Sequence, residues 1–235
     1  MQRSWLILNV DDGNIYKNLL KSEDGPLVIH KRAFTLTINT DGIQISDKSR
    51  LSVWPVYLSI NELPIESGYS FENIIIAGLS VGDFKPNFKV FLSPIIYELK
   101  RLEIGINIKY LNKNLFTKFF LLMGIFDKPA RADVLNMINS SGYKSCLKCL
   151  HSGKRIKTYK GGHKRVFVYQ FNKSLKRNRK NYAQHALSDE KYNELVRGIK
   201  GWSILCHLKY FNPTRNTCID YMHSILLGVM KTFFK

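Results

Sequence analysis

Acidic residues are scarce in this sequence. Only 18 Asp and Glu stand against 36 Lys and Arg among 235 residues, which gives a formal net charge of +18. From Tyr143 to Ser188 there is no acid at all, although this segment holds 13 Lys and Arg. Charge of one sign does not determine a fold, but it favours polyanionic partners, which are nucleic acid or an acidic membrane surface.

Long apolar runs are also missing. No stretch of about eighteen apolar residues is present, so no transmembrane helix is expected. The first residues carry a short apolar run broken by acids, without the apolar core and cleavage site typical of a signal peptide. An intracellular protein is therefore expected, with nucleic acid rather than a membrane as its partner.

Cysteine is rare as well. Four cysteines do not make a secreted disulfide framework in a chain of this length, which favours a reducing compartment. Cys146 and Cys149 form a Cys-x-x-Cys pair, and two thiolates on a tight turn are half of a tetrahedral Zn²⁺ site. His151 and His163 are the nearest candidates for the other half. Farther candidates are Cys206, His207 and Cys218. The alternative is a pair of reduced structural cysteines.

The order of predicted elements is α/β. β-Branched or aromatic residues alternate with polar ones over 34–46, which predicts a strand interrupted at Asp41-Gly42. A helix is predicted over 89–102. Asp127 ahead of Pro129 predicts an N-capped helix, and further helices are expected over 188–197 and from Asp220 onward. The other predicted strands are 51–60, 73–79, 104–111 and 115–126. This order suits a ribonuclease H-like mixed sheet and several other α/β folds.

Two acids lie on otherwise apolar predicted strands. Asp41 interrupts a strand-like run, and Asp127 ends the most apolar one. Phosphodiester cleavage by two divalent ions needs a few carboxylates that converge from distant parts of a chain. Both acids are therefore candidate metal ligands. The alternative is an Asp-Gly turn at Asp41 and a helix cap at Asp127.

The acid-free segment combines cations with aromatic residues such as Tyr159 and Phe167. Cations can neutralise phosphates, and aromatic rings can stack on unpaired bases. The candidate DNA-binding residues are Lys154, Arg155, Lys164, Arg165, Lys176, Arg177, Arg179 and Lys180. The alternative is a solvated loop whose aromatic residues pack partly on a zinc ribbon.

Six blocks of the sequence, in this order, resemble the En/Spm (CACTA) transposases. The blocks are Leu36–Ile43, Leu51–Pro64, Asn73–Leu79, Asp127–Ala132, Gly142–Gly153 and Asp220–Val229. The opening 11–16 resembles the lead-in of that family. The resemblance covers nearly the whole chain.

The resemblance implies a ribonuclease H-like catalytic domain with a basic, Cys/His-containing, zinc-ribbon-like insertion. It implies an acid triad that uses Mg²⁺ or Mn²⁺ to cut DNA and transfer strands, in which Asp41 matches the first acid and Asp127 the second. The third acid, a Glu, lies in the family beyond the Asp-x-x-His block, so the chain is expected to be a fragment that is inactive alone. The expected domains are a lead-in (1–32), the first part of the core (33–140), the insertion (141–188) and a helical segment (189–235).

Asp220 and His223 match a Cys/Asp-x-x-His motif that, by the resemblance, braces the active site or the flipped end nucleotide in such transposases. The alternative is an N-cap Asp with a packed His. The resemblance further implies a nuclear location, DNA as partner and self-association in a transposition complex, with Zn²⁺ as a structural ion. A rival hypothesis is a domesticated or decayed transposase that acts as a zinc-stabilised DNA-binding module. A nucleic-acid enzyme of the same fold with another reaction is a further alternative.

Overall fold

The computed structural model describes residues 10, 13–21, 27, 32–46, 50–159, 161–168, 174–192 and 197–231. Most of the predicted lead-in, including 11–12, lies outside the described residues. The fold is mixed α/β. The chain divides into two compact units, which are Met1–Gly124 with His207–Phe211 (unit 1) and Ile125–Cys206 with Asn212–Lys235 (unit 2). The domain boundaries expected from the sequence stay a prediction.

Unit 1 is built on a sheet in which β2 pairs with β3, β3 with β1, β1 with β6, and β6 with β5. β4 also pairs with β3. The pairs β1/β3, β2/β3, β3/β4 and β5/β6 are antiparallel. The strands are β1 (Ala33–Thr40), β2 (Ile43–Gln44), β3 (Ser52–Ile60), β4 (Ile75–Gly82), β5 (Ile106–Tyr110) and β6 (Lys113–Phe126). The last two residues of β6 belong to unit 2.

Apolar side chains of the central strands form the core of unit 1. Leu36 and Ile38 of β1 pair with Ile60 and Leu58 of β3, and all but Ile60 are buried. Apolar residues at helical spacing, including Leu99, bury one face of the helix Ser93–Ile104. The other helices of the unit are Asn14–Lys21, Ile65–Gly68 and Phe88–Phe91, with a 3₁₀ turn over Phe71–Asn73.

Unit 2 packs around the buried side chains of Phe126, Leu135, Tyr182 and Ile199. The Tyr182 hydroxyl donates a hydrogen bond of 2.8 Å to the carbonyl oxygen of Leu135. The helices are Lys128–Val134, Arg179–Tyr192, Pro213–Asn216 and a π-helix over Met222–Met230. A hairpin joins β7 (Lys154–Lys157) to β8 (His163–Val166), and the short strand β9 (Thr217–Ile219) pairs with β6. A 3₁₀ turn spans Ile204–His207, where the chain passes from unit 2 to unit 1.

Most elements agree with the sequence-based expectations. Predicted strands over 51–60, 104–111 and 115–126 are confirmed as β3, β5 and β6. The predicted helix over 188–197 is wrong in its start, because the helix runs over Arg179–Tyr192. Ser188 lies inside this helix, where its hydroxyl donates to the carbonyl of Gln184. None of the helices in the described ranges has the length and apolar character to span a bilayer.

Candidate functional site

Asp41 directly follows β1 and is half-buried. The backbone N–H of Gly42 donates a hydrogen bond of 2.7 Å to its Oδ1. The indole of Trp54 packs on Gly42 so closely that a Cβ there would lie 2.3 Å from Trp54 Cζ2. The absence of a Cβ at Gly42 therefore makes room for the Trp54 ring. An Asp-Gly turn is not formed, because β2 continues β1 along β3 in the same register.

A second acid, Glu62, lies at the far end of β1. Its carboxylate accepts the backbone N–H of Thr35 at 2.9 and 3.0 Å and the Thr35 hydroxyl at 2.8 Å. Six residues of strand at about 3.3 Å each place Thr35 about 20 Å from Asp41. Glu62 therefore anchors the start of β1 and is remote from Asp41.

Asp127 directly follows β6 and caps the helix Lys128–Val134. Its Oδ1 accepts the backbone N–H of Ala130 at 2.7 Å, and Pro129 occupies the first turn. The predicted N-cap is confirmed. A carboxylate has acceptor sites on both oxygens, so the cap is compatible with a further partner at Oδ2.

The structure brings Asp220 to the end of the strand that Asp127 follows. The backbone N–H of Asp220 donates to the carbonyl of Phe126 at 3.4 Å. Nδ1 of His223 lies 2.6 Å from Oδ2 of Asp220. Burial acts to raise the pKa of Asp220, but hydrogen bonds from the ring and the backbone N–H of His223 outweigh it and leave the pKa below its ordinary value.

Cys146 and Cys149 are free thiols whose sulfurs lie 3.4 Å apart. Both are half-buried, and burial raises the pKa of the Cys149 thiol. In the described part of the chain, no cluster of three or more His, Cys, Asp or Glu side chains could hold a metal ion. The described residues therefore do not complete a zinc site around this pair.

Four of the five candidate partners of the cysteine pair have other environments, and the fifth, His207, is exposed at the end of the 3₁₀ turn Ile204–His207. Nδ1 of His151 accepts the N–H of Gly153 at 2.8 Å, which leaves the proton on Nε2, 3.1 Å from the carbonyl oxygen of Val168. His163 is exposed in β8. Burial raises the pKa of Cys206 to about 12 and also raises the pKa of Cys218.

Most of the candidate DNA-binding cations are exposed. Lys154 and Arg155 of β7, Lys164 of β8, and Lys176, Arg179 and Lys180 all have exposed side chains. Arg165 is half-buried and donates to the carbonyls of Ser141, Ser152 and Gly153.

Arg177 differs from the expectation of DNA contact. Its side chain is only 5% exposed. Nε donates to the carbonyl of Cys146 at 2.7 Å, and Nη2 donates to the carbonyls of Lys144 and Arg197, both at 2.6 Å. These bonds tie the Cys146 turn to a later part of unit 2. The sequence predicted Arg177 as an interface residue, because a run of lysines and arginines does not show which of its side chains is buried.

Sequence reasoning missed three cations of unit 2 that surround one pocket. Lys128 and Arg131 lie three residues apart on one helix, a spacing that places both on one face, and Lys148 lies within the Cys146–Cys149 turn. The helical spacing of Lys128 and Arg131 was the available signal, but it does not show that this face of the helix lies beside the cysteine turn.

Residues 9–198 match a protein-family model described as "Transposase family tnp2". The matched range includes Asp41, Asp127 and the Cys146–Cys149 turn, whereas Asp220 and His223 lie beyond it. A comparison with curated proteins found no match.

Proposed function

Because the chain belongs to the transposase family tnp2, we propose that it acts in cut-and-paste DNA transposition of the En/Spm (CACTA) kind. The sheet that carries Asp41 and Asp127 is, in this proposal, ribonuclease H-like. The observation that carries the proposal is the family match over residues 9–198, within which both acids directly follow strands.

Asp41 and Asp127 are the proposed catalytic acids, and their chemistry fits Mg²⁺ or Mn²⁺. Each holds its Oδ1 in a local hydrogen bond to a backbone N–H, so the carboxylates have defined orientations. Hard divalent ions prefer carboxylate oxygen, and the two oxygens of a carboxylate can accept several partners at once. When bound, such ions supply charge for the attacking and leaving oxygens of a phosphodiester.

Asp220 and His223 have a positioning role in this proposal. The Asp220 carboxylate fixes the His223 ring through Nδ1, and Asp220 is joined to the residue before Asp127 through the carbonyl of Phe126. The pair therefore fits a brace for the strand end at which Asp127 lies.

The basic segment is the proposed DNA-binding surface. The hairpin β7–β8 exposes Lys154, Arg155 and Lys164, and Lys176, Arg179 and Lys180 are exposed farther along the chain. Lys and Arg side chains that contact phosphates release counterions, so binding should weaken steeply with salt. Nuclear location and self-association in a transposition complex are proposed on the resemblance alone.

A structural Zn²⁺ at Cys146 and Cys149 is a separate proposal. The sulfur separation of 3.4 Å is near the distance of about 3.8 Å that two thiolates span in a tetrahedral site with Zn–S bonds of about 2.3 Å. The described residues bring no third ligand to the pair. Metal analysis of the purified protein tests this proposal. About one equivalent of zinc in the wild type, lost in Cys146→Ser, would support the ion. Folded wild-type protein without zinc would contradict it.

The catalytic proposal is tested by Mn²⁺ binding, followed by electron paramagnetic resonance. Asp41→Asn and Asp127→Asn keep the size and the local hydrogen bonding of the side chains but remove the charge, so each should weaken Mn²⁺ binding at least about tenfold, as loss of a charged ligand implies. Glu62→Gln is the matched control, because Glu62 is remote from Asp41. Equal Mn²⁺ affinity in all four proteins would reject the assignment of the two acids.

A further inference from the structure

A pocket of about 360 Å³ lies within unit 2, beside the cysteine turn. We call it the basic pocket, since its lining includes Lys128, Arg131, Lys148, Lys164 and Arg165, together with Phe167. Within the described part of the chain, no Asp or Glu lines it. Its volume lies within the range of about 300–1,000 Å³ that is typical of small-ligand sites.

The cations of the basic pocket come from three separate places in the chain. The helix Lys128–Val134 supplies two, the cysteine turn supplies Lys148, and β8 supplies Lys164 and Arg165. Like charges that converge repel one another, and the repulsion is relieved when an anion binds. One carboxylate, that of Asp127, acts on Arg131. Burial lowers the pKa of Arg131, and burial with a smaller contribution from Arg131 lowers the pKa of Lys148.

Two of these cations, Lys148 and Arg165, already donate hydrogen bonds to backbone carbonyls of unit 2. Lys148 Nζ donates to the carbonyls of Thr214 and Thr217 at 2.8 and 2.9 Å, which uses two of its three donors. Arg165 donates to three carbonyls and lies over the ring of Tyr143. These bonds fix the wall of the basic pocket.

The remaining cations are suited to a ligand. Arg131 is half-buried, and its guanidinium donates no hydrogen bond within the described part of the chain. A planar guanidinium matches two oxygens of a phosphate at once. Lys128 and Lys164 are exposed at the rim, where they add charge without cost of burial.

We propose that the basic pocket binds a phosphate group of the DNA backbone, with Arg131 as its central ligand and Lys128 and Lys164 at the rim. The inference rests on the proposed function and adds a defined contact to it, which shares Lys164 of β8 with the proposed DNA-binding surface. Phe167, 40% exposed in the pocket wall, offers a ring face beside the phosphate. Such a ring is able to stack on an adjoining unpaired base.

The test is the salt dependence of binding to a DNA duplex with a single-stranded extension. Lys128→Gln with Arg131→Gln removes two charges from the pocket, and Lys100→Gln with Lys109→Gln removes two exposed charges from unit 1 as the matched control. Loss of one phosphate contact should lower the slope of log affinity against log salt concentration by about 0.9. The fall in affinity between 50 and 200 mM salt should therefore be about 3.5-fold smaller. The control should keep the wild-type slope.

A second measurement uses inorganic phosphate alone. Titration should shift the amide resonances of residues 140–148 in the wild type and leave them unshifted in the pocket variant. If the double variant does not fold, Lys128→Gln alone is measured instead, because this position is exposed. It should reduce the phosphate-induced resonance shifts by a smaller amount than the double variant.

The outcomes separate the two proposals. Wild-type protein that does not bind DNA overturns the proposed function. DNA binding with an unchanged slope in the pocket variant overturns the phosphate assignment and leaves the proposed function standing. Loss of inorganic phosphate binding without any change in DNA binding would assign the basic pocket to a free phosphate ligand, and would overturn the DNA contact.

Discussion

Both oxygens of the Asp220 carboxylate are bound by the same residue, His223. Oδ2 lies 2.6 Å from the ring nitrogen Nδ1, and Oδ1 accepts the backbone N–H at 3.3 Å. The carboxylate therefore caps the π-helix Met222–Met230 and fixes the imidazole at once. The two interpretations of this motif, a helix cap and a brace for the active site, are compatible with one geometry.

Replacement of Asp220 should separate these two roles. Asp220→Ala should destabilise the helix by about 1–2 kcal/mol, because both the cap and the ring contact are lost. Asp220→Asn should cost less, because Asn also caps helices. Amide hydrogen exchange at His223 measures the cap, and equal exchange rates in the three proteins would contradict this account.

The stabilisation by Asp220 should also depend on pH. Since its pKa is lowered in the folded protein, its contribution is complete above the ordinary Asp value of about 3.9 and is lost as pH falls through the lower folded value. The difference in unfolding free energy between wild type and Asp220→Ala should therefore be constant from pH 6 to 5 and shrink below about pH 4. If the difference in unfolding free energy is unchanged at pH 3, the predicted pH dependence is wrong.

Gly42 should tolerate no side chain. A Cβ would meet the Trp54 ring at 2.3 Å, and the ring is held by an edge contact with Phe88 and a hydrogen bond from Nε1 to Ser52. Gly42→Ala should displace the indole and cost about 1–3 kcal/mol, as overpacking does. The tryptophan emission should shift, and Gly82→Ala, whose Cβ would have ordinary contacts, is the control.

His185 should make unit 2 sensitive to mild acid. Its side chain is 8% exposed, Nδ1 has no hydrogen-bond partner among the described residues, and burial followed by the charges of Arg197, Arg177 and Lys144 lowers its pKa. Below about pH 6.5 the unfolded chain takes up a proton that the folded chain does not, so stability falls as pH falls, by at most about 1.4 kcal/mol per pH unit.

The measurement for His185 compares denaturant unfolding at pH 7.5 and 5.5. Wild-type protein should lose more stability over this interval than His185→Gln, which has no group that titrates there. Equal losses in both proteins would show that other groups carry the pH dependence.

Local sequence accounts for much of the fold and little of the site. Periodicity predicted β3 and β6 and the helix face of Leu99, since burial on one side leaves a pattern within a single element. The cap at Asp127 depends on residues three apart, which the sequence contains. The hairpin β7–β8 was missed because KRIK and HKRV are short, charged and exposed, so they carry no apolar alternation.

The contacts that assemble the candidate site are non-local. Asp220 reaches Phe126 through a backbone hydrogen bond, and no side-chain pattern encodes which backbone groups meet. The basic pocket gathers cations from a helix, a turn and a strand that are distant in sequence. The place of Asp41 and Asp127 on apolar strands, together with the family resemblance, identified them as candidates. Neither signal indicated Arg131 or the burial of Arg177.

The two adjacent cations Lys176 and Arg177 should behave in opposite ways when replaced. Arg177 is buried and satisfies the carbonyls of Cys146, Lys144 and Arg197. Arg177→Ala should destabilise unit 2 by at least about 2 kcal/mol, because buried carbonyls lose their donors. Arg177→Lys should recover only part of this loss, since one ammonium does not reproduce a planar guanidinium fork.

Lys176→Ala with Lys180→Ala is the matched surface change, as both side chains are exposed. It should alter stability by less than about 0.5 kcal/mol but reduce the salt slope of DNA binding by up to about 1.8, which corresponds to two phosphate contacts. Folded Arg177→Lys should keep the wild-type slope, because the side chain at this position is buried. Urea unfolding and binding at 50 to 200 mM salt measure both effects. A folded Arg177 variant with normal stability and a reduced slope would show that this arginine leaves its carbonyl partners to contact DNA, and it would restore Arg177 to the interface.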